Sequence, residues 1–224
     1  MQGKTLVFEG IDGSGKKTQV ERTARWLIGQ NYSVKMVSFP RHSSDEALLV
    51  DKYLRGELGL LPVELVATMY AVDRGLWVVQ EKIQEHLASS GIVVIDRGAW
   101  SNFAYQAGTI ASADSRKELF AWLLDMEHAK FHFPVADLNF FLDVPPKNAD
   151  MLVNDKPARE YLNGKDRDEL EADPNRINIA RDIYLELAKR ADFCHIICCA
   201  PNGDLLPPEE IFTQLILPEI QRVL

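Results

Sequence analysis

Residues Phe8 to Thr18, reading Phe-Glu-Gly-Ile-Asp-Gly-Ser-Gly-Lys-Lys-Thr, constrain this chain more than any other stretch. The run Thr5-Leu6-Val7-Phe8 before them reads as a short buried strand. Gln19 to Gln30 after them carries apolar residues at Val20, Ala24, Leu27 and Ile28, the repeat of a helix. Strand, glycine loop and helix in that order, with the spacing Gly10-x4-Gly15-Lys16, is the pattern of a phosphate-binding loop. Gly10, Gly13, Ser14 and Gly15 bring successive backbone N–H groups onto an anion, and the helix start adds its dipole. Lys16 then sits over β- and γ-phosphates. One position departs from the pattern: the residue after the lysine supplies a hydroxyl to Mg²⁺ in the general motif, and here it is Lys17, with Thr18 one place later. Either Mg²⁺ is held differently or Thr18 substitutes, and Lys17 becomes a further candidate for phosphate contact.

A chain of 224 residues with 46% hydrophobic content has material for one large core, and no linker or repeat divides it, so residues 1–224 are expected to form a single α/β domain. The apolar runs are too short to span a bilayer and no basic-then-apolar leader precedes the first strand, which fits a cytoplasmic protein without a membrane partner. Three cysteines, Cys194, Cys198 and Cys199, share one apolar segment without C-x-x-C spacing, so buried reduced thiols are expected. A net charge of −8 excludes a general nucleic-acid binder, which needs a basic face. A polyanionic ligand must therefore meet a local cluster of cations.

Such a cluster emerges along the chain. Ser33 to Phe39 reads as a second parallel strand ending in Phe39-Pro40-Arg41, and in open α/β sheets ligands gather at the carboxyl ends of strands. Pro62 to about Ser90 reads as one long helix with an apolar repeat of Leu65, Met69, Val72, Leu76, Val79, Ile83 and Leu87; Tyr70, Asp73 and Arg74 lie within it, Tyr70 and Arg74 four apart on one face. Ile92 to Asp96 is a third strand closed by Asp96-Arg97, where phosphate-loop proteins place a second acid near Mg²⁺. The helix after it offers Ser101, Asn102, Tyr105 and Gln106, side chains suited to recognition. Ser115 to Lys130 is a further helix; His128 and His132 have metal-compatible spacing but no third ligand, so packing is expected of them. Leu138 to Val144 and Phe193 to Cys199 complete five strands, and the last helix, from Pro207, should kink at Pro218. Asn154 to Asp173 is too charged for a core and reads as a flap. Strands alternating with helices imply a three-layer fold, a five-stranded parallel sheet with helices on both faces.

The absence of an Asn-Lys-x-Asp motif argues against a GTP switch. A nucleoside kinase needs a carboxylate base at the end of the second strand, where this chain has Arg41; an arginine suits an acceptor that is already an ionised phosphate. That favours a nucleoside monophosphate kinase. The alternatives are a kinase of another deoxynucleotide or of a nucleoside, and a phosphate-loop protein that binds nucleotide without transferring phosphate.

The sequence resembles the thymidylate kinase family over essentially its whole length, through Phe8 to Lys16, Phe39-Pro40-Arg41, Tyr70-Ala71-Val72-Asp73-Arg74, Asp96-Arg97 with Ser101-Asn102 and Ala104-Tyr105-Gln106, Ala136-Asp137-Leu138, Phe141-Leu142-Asp143-Val144-Pro145 and the flap. The resemblance implies a phosphate-loop monophosphate kinase fold, transfer from ATP with Mg²⁺ to dTMP, and a homodimer with the long helix as a candidate interface. It implies that Tyr70 stacks on thymine, Arg74 donates to O4, Asn102 reads the N3/O4 edge and Tyr105 crowds the sugar 2′ position. Arg41 and Arg97 would hold the acceptor phosphate, with Asp12 ordering the acceptor side or Mg²⁺, and Asp96 is a second metal candidate. The phosphate loop carries Ser14 and no arginine, so the transition-state cation is expected from the flap: Arg159, Lys165 or Arg167, with the two arginines favoured for their bidentate guanidinium. Gly98 stands where relatives carry tyrosine or histidine after the Asp-Arg pair.

Overall fold

The computed structural model describes residues 3–154, 160–164, 174–189 and 194–224. The chain forms β1 (Lys4–Glu9), α1 (Lys16–Gly29), β2 (Val34–Ser38), a 3₁₀ turn (Asp45–Ala47) leading into α2 (Leu48–Leu54), α3 (Val63–Gln80), α4 (Ile83–Ala88), β3 (Ile92–Asp96), α5 (Ala99–Ala107) and α6 (Ala113–Leu124). A π-helical turn (Asp125–Lys130) follows, then β4 (Leu138–Asp143), α7 (Pro146–Asn154), a 3₁₀ turn (Glu160–Leu162), α8 (Pro174–Ala188), β5 (Cys194–Cys198), α9 (Pro208–Glu210), a second π-helical turn (Ile211–Ile216) and α10 (Leu217–Val223).

All five strands pair in parallel in the order β2-β3-β1-β4-β5. Alternation along them buries both faces. Leu6, Phe8, Ile92, Val94, Leu138, Phe140 and Leu142 point to the layer holding α1 and the C-terminal helices, while Val7, Val93 and Ile95 face Trp77, Val78 and Ile83 of α3 and α4. A larger cluster joins α3, α5, α6 and α8 around Phe103, Leu123, Phe141 and Tyr184. Register then decides where the chemistry gathers. Phe8 pairs with Asp96 and Ser38 with Asp96, so the ends of β1, β2 and β3 deliver Gly10, Phe39 and Arg97 to one edge of the sheet.

Three expectations change. The long helix breaks at Lys82, which takes a left-handed backbone (φ 50°) between α3 and α4. Four members of the apolar repeat face outward, Leu65, Val72, Leu76 and Val79, exposed by 47, 39, 41 and 74%, while Met69 and Ile83 are buried. The inner face of α3 buries Tyr70, Asp73, Arg74 and Trp77 together with Val66, Ala67, Met69, Ala71 and Val78. At the C-terminus Pro218 falls in the first turn of α10, directly after the second π-helical turn, where its missing N–H is tolerated. Cys199 is buried, its thiol pushed up to about 12 by burial, but Cys198 is exposed, so the uniform burial expected of the cysteines does not hold.

Candidate active site

The phosphate loop is built by backbone angles that side chains resist. Gly13 has φ 78°, and a Cβ there would lie 2.1 Å from the Ala149 carbonyl oxygen. Gly10, at φ 146°, would place one 2.7 Å from Ser14 Oγ and 2.9 Å from the Leu142 carbonyl. Both positions need glycine for close approach as well as for conformation. Gly15 caps α1 in the left-handed region with no side-chain cap, leaving the first N–H groups of the helix for a ligand. Lys16 is buried, its Nζ donating to the carbonyls of Gly10 (3.0 Å) and Ile11 (2.8 Å) and to Ser14 Oγ (3.3 Å). The Lys17 side chain is 83% exposed and lies 4.0 Å from Glu21, a solvated helix pair. Thr18 is exposed on the same turn, and both residues border the cavity described next.

A cavity of about 800 Å³ opens over this loop, within the range of small-molecule sites. It is lined by Asp12 to Gln19, by Phe39 and Pro40 after β2, by Tyr70 and Arg74 of α3, by Asp96 and Arg97 after β3, and by Ser101, Asn102, Tyr105 and Gln106 of α5. Thus most of the candidate residues, scattered over about a hundred positions, meet in one space. Leu205, Leu206, Pro208 and Ile211 add an apolar wall beside Gln19. No motif marks that wall, which comes from the loop after the last strand and the helical turns that follow it.

At the junction of loop and sheet stand Asp12, Arg97 and Tyr105. Arg97 takes a left-handed backbone (φ 71°), uncommon for a side chain of its size. Its Nη2 donates to Asp12 Oδ1 (2.6 Å) and its Nη1 to the Gly10 carbonyl (3.2 Å), and its guanidinium lies 5.4 Å from the centroid of the Tyr105 ring. The Tyr105 hydroxyl donates to Asp12 Oδ2 (2.8 Å) and accepts from Asp12 N (3.1 Å). Burial, with Asp12 beside it, pushes the Tyr105 phenol well above its ordinary value, so the hydroxyl remains a donor at neutral pH. Burial opposes the Arg97 charge, but Asp12, Tyr105, Tyr184 and Asp96 together hold its pKa well above the ordinary arginine value. Asp96 accepts from Ser38 Oγ at one oxygen (3.2 Å), while its Oδ1 is buried without a partner among the described residues.

Glu9 underlies this triangle and was not singled out by the sequence, since it sits in a strand and reads as a flank of the loop. It is fully buried and accepts from the backbone of Gly98 (3.0 Å) and Ser101 (3.3 Å), from Ser101 Oγ, and from the Tyr184 hydroxyl (3.2 Å). The carboxylate thereby takes up the start of α5. Burial raises its pKa against the lowering effect of those donors and Arg97. A Cβ at Gly98 would lie 3.0 Å from Val7 Cγ1 and 3.2 Å from Glu9 Oε1, which makes glycine the comfortable residue there.

Two arginines find their partners across the fold. Arg74 is buried against Glu127, Nε to Oε2 at 2.5 Å and Nη2 to Oε1 at 2.6 Å. Asp73 instead receives Arg41, whose Nε (2.6 Å) and backbone N (2.9 Å) donate to its carboxylate, whose Nη2 donates to its carbonyl (3.2 Å), and whose Nη1 reaches Gln80 Oε1 (2.7 Å). Arg41 does not border the cavity; the fully buried Asp73 side chain holds it. His128 Nδ1 donates to the Phe133 carbonyl (2.7 Å), a packing role, and among the described residues no group of His, Cys, Asp or Glu is arranged to hold a metal on its own. Arg159, Lys165 and Arg167 lie outside the described residues.

The sequence model of one family, described as thymidylate kinase, matches residues 8–200. A thymidylate kinase of Mycobacterium tuberculosis is 31% identical over 186 residues, covering 82% of this chain and 85% of that protein. One from Thiobacillus denitrificans is 30% identical over 197 residues, 84% of each chain. Among solved structures, a thymidylate kinase from Candida albicans matches with a TM-score of 0.74 at 20% identity over 99% of this chain and 93% of that one, a likeness of fold.

Proposed function

The chain belongs to the thymidylate kinase family, and from that premise we propose how its cavity moves a phosphoryl group from ATP to dTMP. It is a nucleoside monophosphate kinase that phosphorylates dTMP from a nucleotide donor. The observation that carries the reading is the meeting, in one cavity, of the phosphate loop, the Asp12–Arg97–Tyr105 triangle and the Tyr70–Arg74–Asn102 group.

The acceptor is an ionised phosphate, so no general base is required; the task is to bring two anions together and neutralise them. Lys16 and the N–H groups of the loop supply the donor side. Arg97, turned toward the loop by its bonds to Asp12 and Gly10, supplies the acceptor side. Tyr70 offers an aromatic face for the base, worth about 1–3 kcal/mol by analogy with other base stacks, and Tyr105 narrows the space at the sugar. The wall of Leu205, Leu206, Pro208 and Ile211 beside α1 suits the donor's adenine. The unpartnered buried oxygen of Asp96 fits a hard cation, so Asp96 with Thr18 would hold Mg²⁺, directly or through water. When bound, Mg²⁺ supplies charge neutralisation between the phosphates. Arg159 and Arg167 of the flap are the candidates for the transition-state cation, a contribution of about 10³–10⁵ in rate. Replacing each by alanine should lower kcat far more than it weakens dTMP binding; unchanged kcat in both variants excludes the flap as its source.

The outward stripe of Leu65, Val72, Leu76 and Val79 supports a homodimer through α3. Sedimentation of the wild type and Leu76→Glu tests it: a monomeric wild type rules it out. Among the described residues no helix is long and apolar enough to cross a membrane, in keeping with a cytoplasmic enzyme. The reaction itself is tested by coupled ADP release from ATP and Mg²⁺ with dTMP, dUMP, dCMP, UMP and thymidine as separate acceptors. Strong turnover of dTMP, weak of dUMP and none of dCMP or thymidine is expected. Turnover of thymidine would mean that a base acts where none is assigned, and ATP binding without turnover would make the protein a non-catalytic nucleotide binder.

A further inference from the structure

Glu127 lies in the π-helical turn after α6, behind the cavity rather than in its lining, and its side chain is fully buried. Its Oε2 accepts from Arg74 Nε, and its Oε1 accepts both from Arg74 Nη2 and from Asn102 Nδ2 (3.0 Å). Asn102 Nδ2 also donates to the Ala67 carbonyl (2.9 Å). Both partners of the Asn102 amine are pure acceptors, so its amide has one orientation. The consequence is on the other side: Asn102 Oδ1 is buried with no partner among the described residues, in a side chain 3% exposed that borders the cavity. Arg74, held along its Nε–Nη2 edge, is left with Nη1, which has no hydrogen-bond partner among the described residues.

We propose that Glu127 is a specificity-determining positioning residue: by holding the Arg74 edge and the Asn102 amine, it presents one acceptor and one donor to the base. Resting on the dTMP reading, this gives a rule for the base. A pyrimidine with a donor at N3 and an acceptor at position 4, as in thymine and uracil, meets Asn102 Oδ1 and Arg74 with matched polarity. Cytosine carries an acceptor at N3 and a donor at position 4, so both contacts oppose. Asn102 alone would not exclude cytosine, because a free amide turns over to suit either base; Glu127 and the Ala67 carbonyl remove that freedom. Sites whose buried polar groups are fixed in this way discriminate strongly against the unmatched analogue.

Glu127→Gln tests the assignment. Glutamine keeps the size but sets an amine against Arg74 at either position, and at one of them against Asn102 as well, leaving the Ala67 carbonyl alone to hold that amide. The expected result, with a cooperative thermal transition retained, is a higher KM for dTMP with a smaller change in kcat, and a fall of about tenfold or more in the dTMP:dCMP ratio of kcat/KM. A purely structural residue would lower kcat/KM for both acceptors alike, so an unchanged ratio overturns the proposal. Should the variant not fold, wild-type protein labelled with ¹⁵N-asparagine, with the Asn102 signal identified by its loss in Asn102→Ala, gives a second reading. The Asn102 side-chain protons should be protected from exchange without ligand and shift little on binding dTMP; a large shift would place them on the base and overturn the proposal. A wild type that does not turn over dTMP defeats the kinase reading itself, whereas an active wild type with an unchanged ratio in Glu127→Gln defeats only the role of Glu127.

Discussion

Removing one oxygen, in Tyr105→Phe, isolates the function of the triangle at the edge of the loop. The ring remains buried, so packing and the narrowing at the sugar are retained. What is lost is a hydrogen bond to the Asp12 carboxylate and the acceptor of the Asp12 N–H. A hydrogen bond to a charged group contributes about 1.5–3 kcal/mol, and the deserted N–H adds a further cost wherever water does not reach it. The Asp12 side chain is 24% exposed, so solvent replaces part of the N–H partner and the charged bond dominates. Arg97 still holds the other oxygen of Asp12, so the loop should keep its fold while Asp12 gains freedom. About 1.5–3 kcal/mol in transition-state stabilisation corresponds to a fall of roughly 10- to 150-fold in kcat/KM. If the triangle aligns the acceptor phosphate only as the phosphoryl group moves, the loss appears in kcat with dTMP KM little changed. The assay is steady-state ADP release with dTMP and with UMP, alongside a thermal melt. The dTMP:UMP ratio should be preserved, since the ring is. Wild-type kinetics with a lowered Tm would refute the reasoning, because the hydroxyl would then brace the loop without serving the reaction.

Arg41→Ala leaves the fully buried Asp73 carboxylate without its cation, a loss of about 3–5 kcal/mol and a marked fall in Tm, with kcat little affected in the folded enzyme; a large loss of kcat at unchanged Tm would return Arg41 to the phosphate. Asp96→Asn removes the charge beside the unpartnered oxygen and should raise the Mg²⁺ concentration for half-maximal activity by about tenfold or more, and an unchanged Mg²⁺ titration assigns the metal elsewhere. Glu9, with its pKa raised by burial, binds more protons folded than unfolded above the ordinary glutamate range, so its contribution to stability falls as pH rises from that range through its folded value. Glu9→Gln lacks this fall, and its stability relative to wild type in denaturant titrations should improve as pH rises above the ordinary glutamate range; a difference independent of pH contradicts the assignment.

The local pieces are legible in the residues themselves. Glycine at 10, 13 and 15 has a conformational reason that holds within a few residues, and the alternation between short apolar runs and helical repeats makes the parallel sheet legible because each strand is buried on both faces. Tyr70 with Arg74, and Asn102 with Tyr105, could be placed on single faces of helices for the same local reason. Which side chains pair depends on contacts made across the folded chain. Arg41 and Arg74 are both arginines near an aspartate in sequence, yet one is drawn to Asp73 away from the cavity and the other to Glu127, 53 positions along the chain. Part of the apolar repeat of α3 likewise faces outward, while Asp73 and Arg74 are buried beside Val66, Ala67, Ala71 and Val78 on the inner face. Burial makes a charge seek its partner across the fold, and that partner is set by how helices pack, which no local pattern in the sequence encodes. Glu9 and Glu127 are the clearest cases: each occupies an unremarked position in the chain, and each fixes the donors that line the cavity.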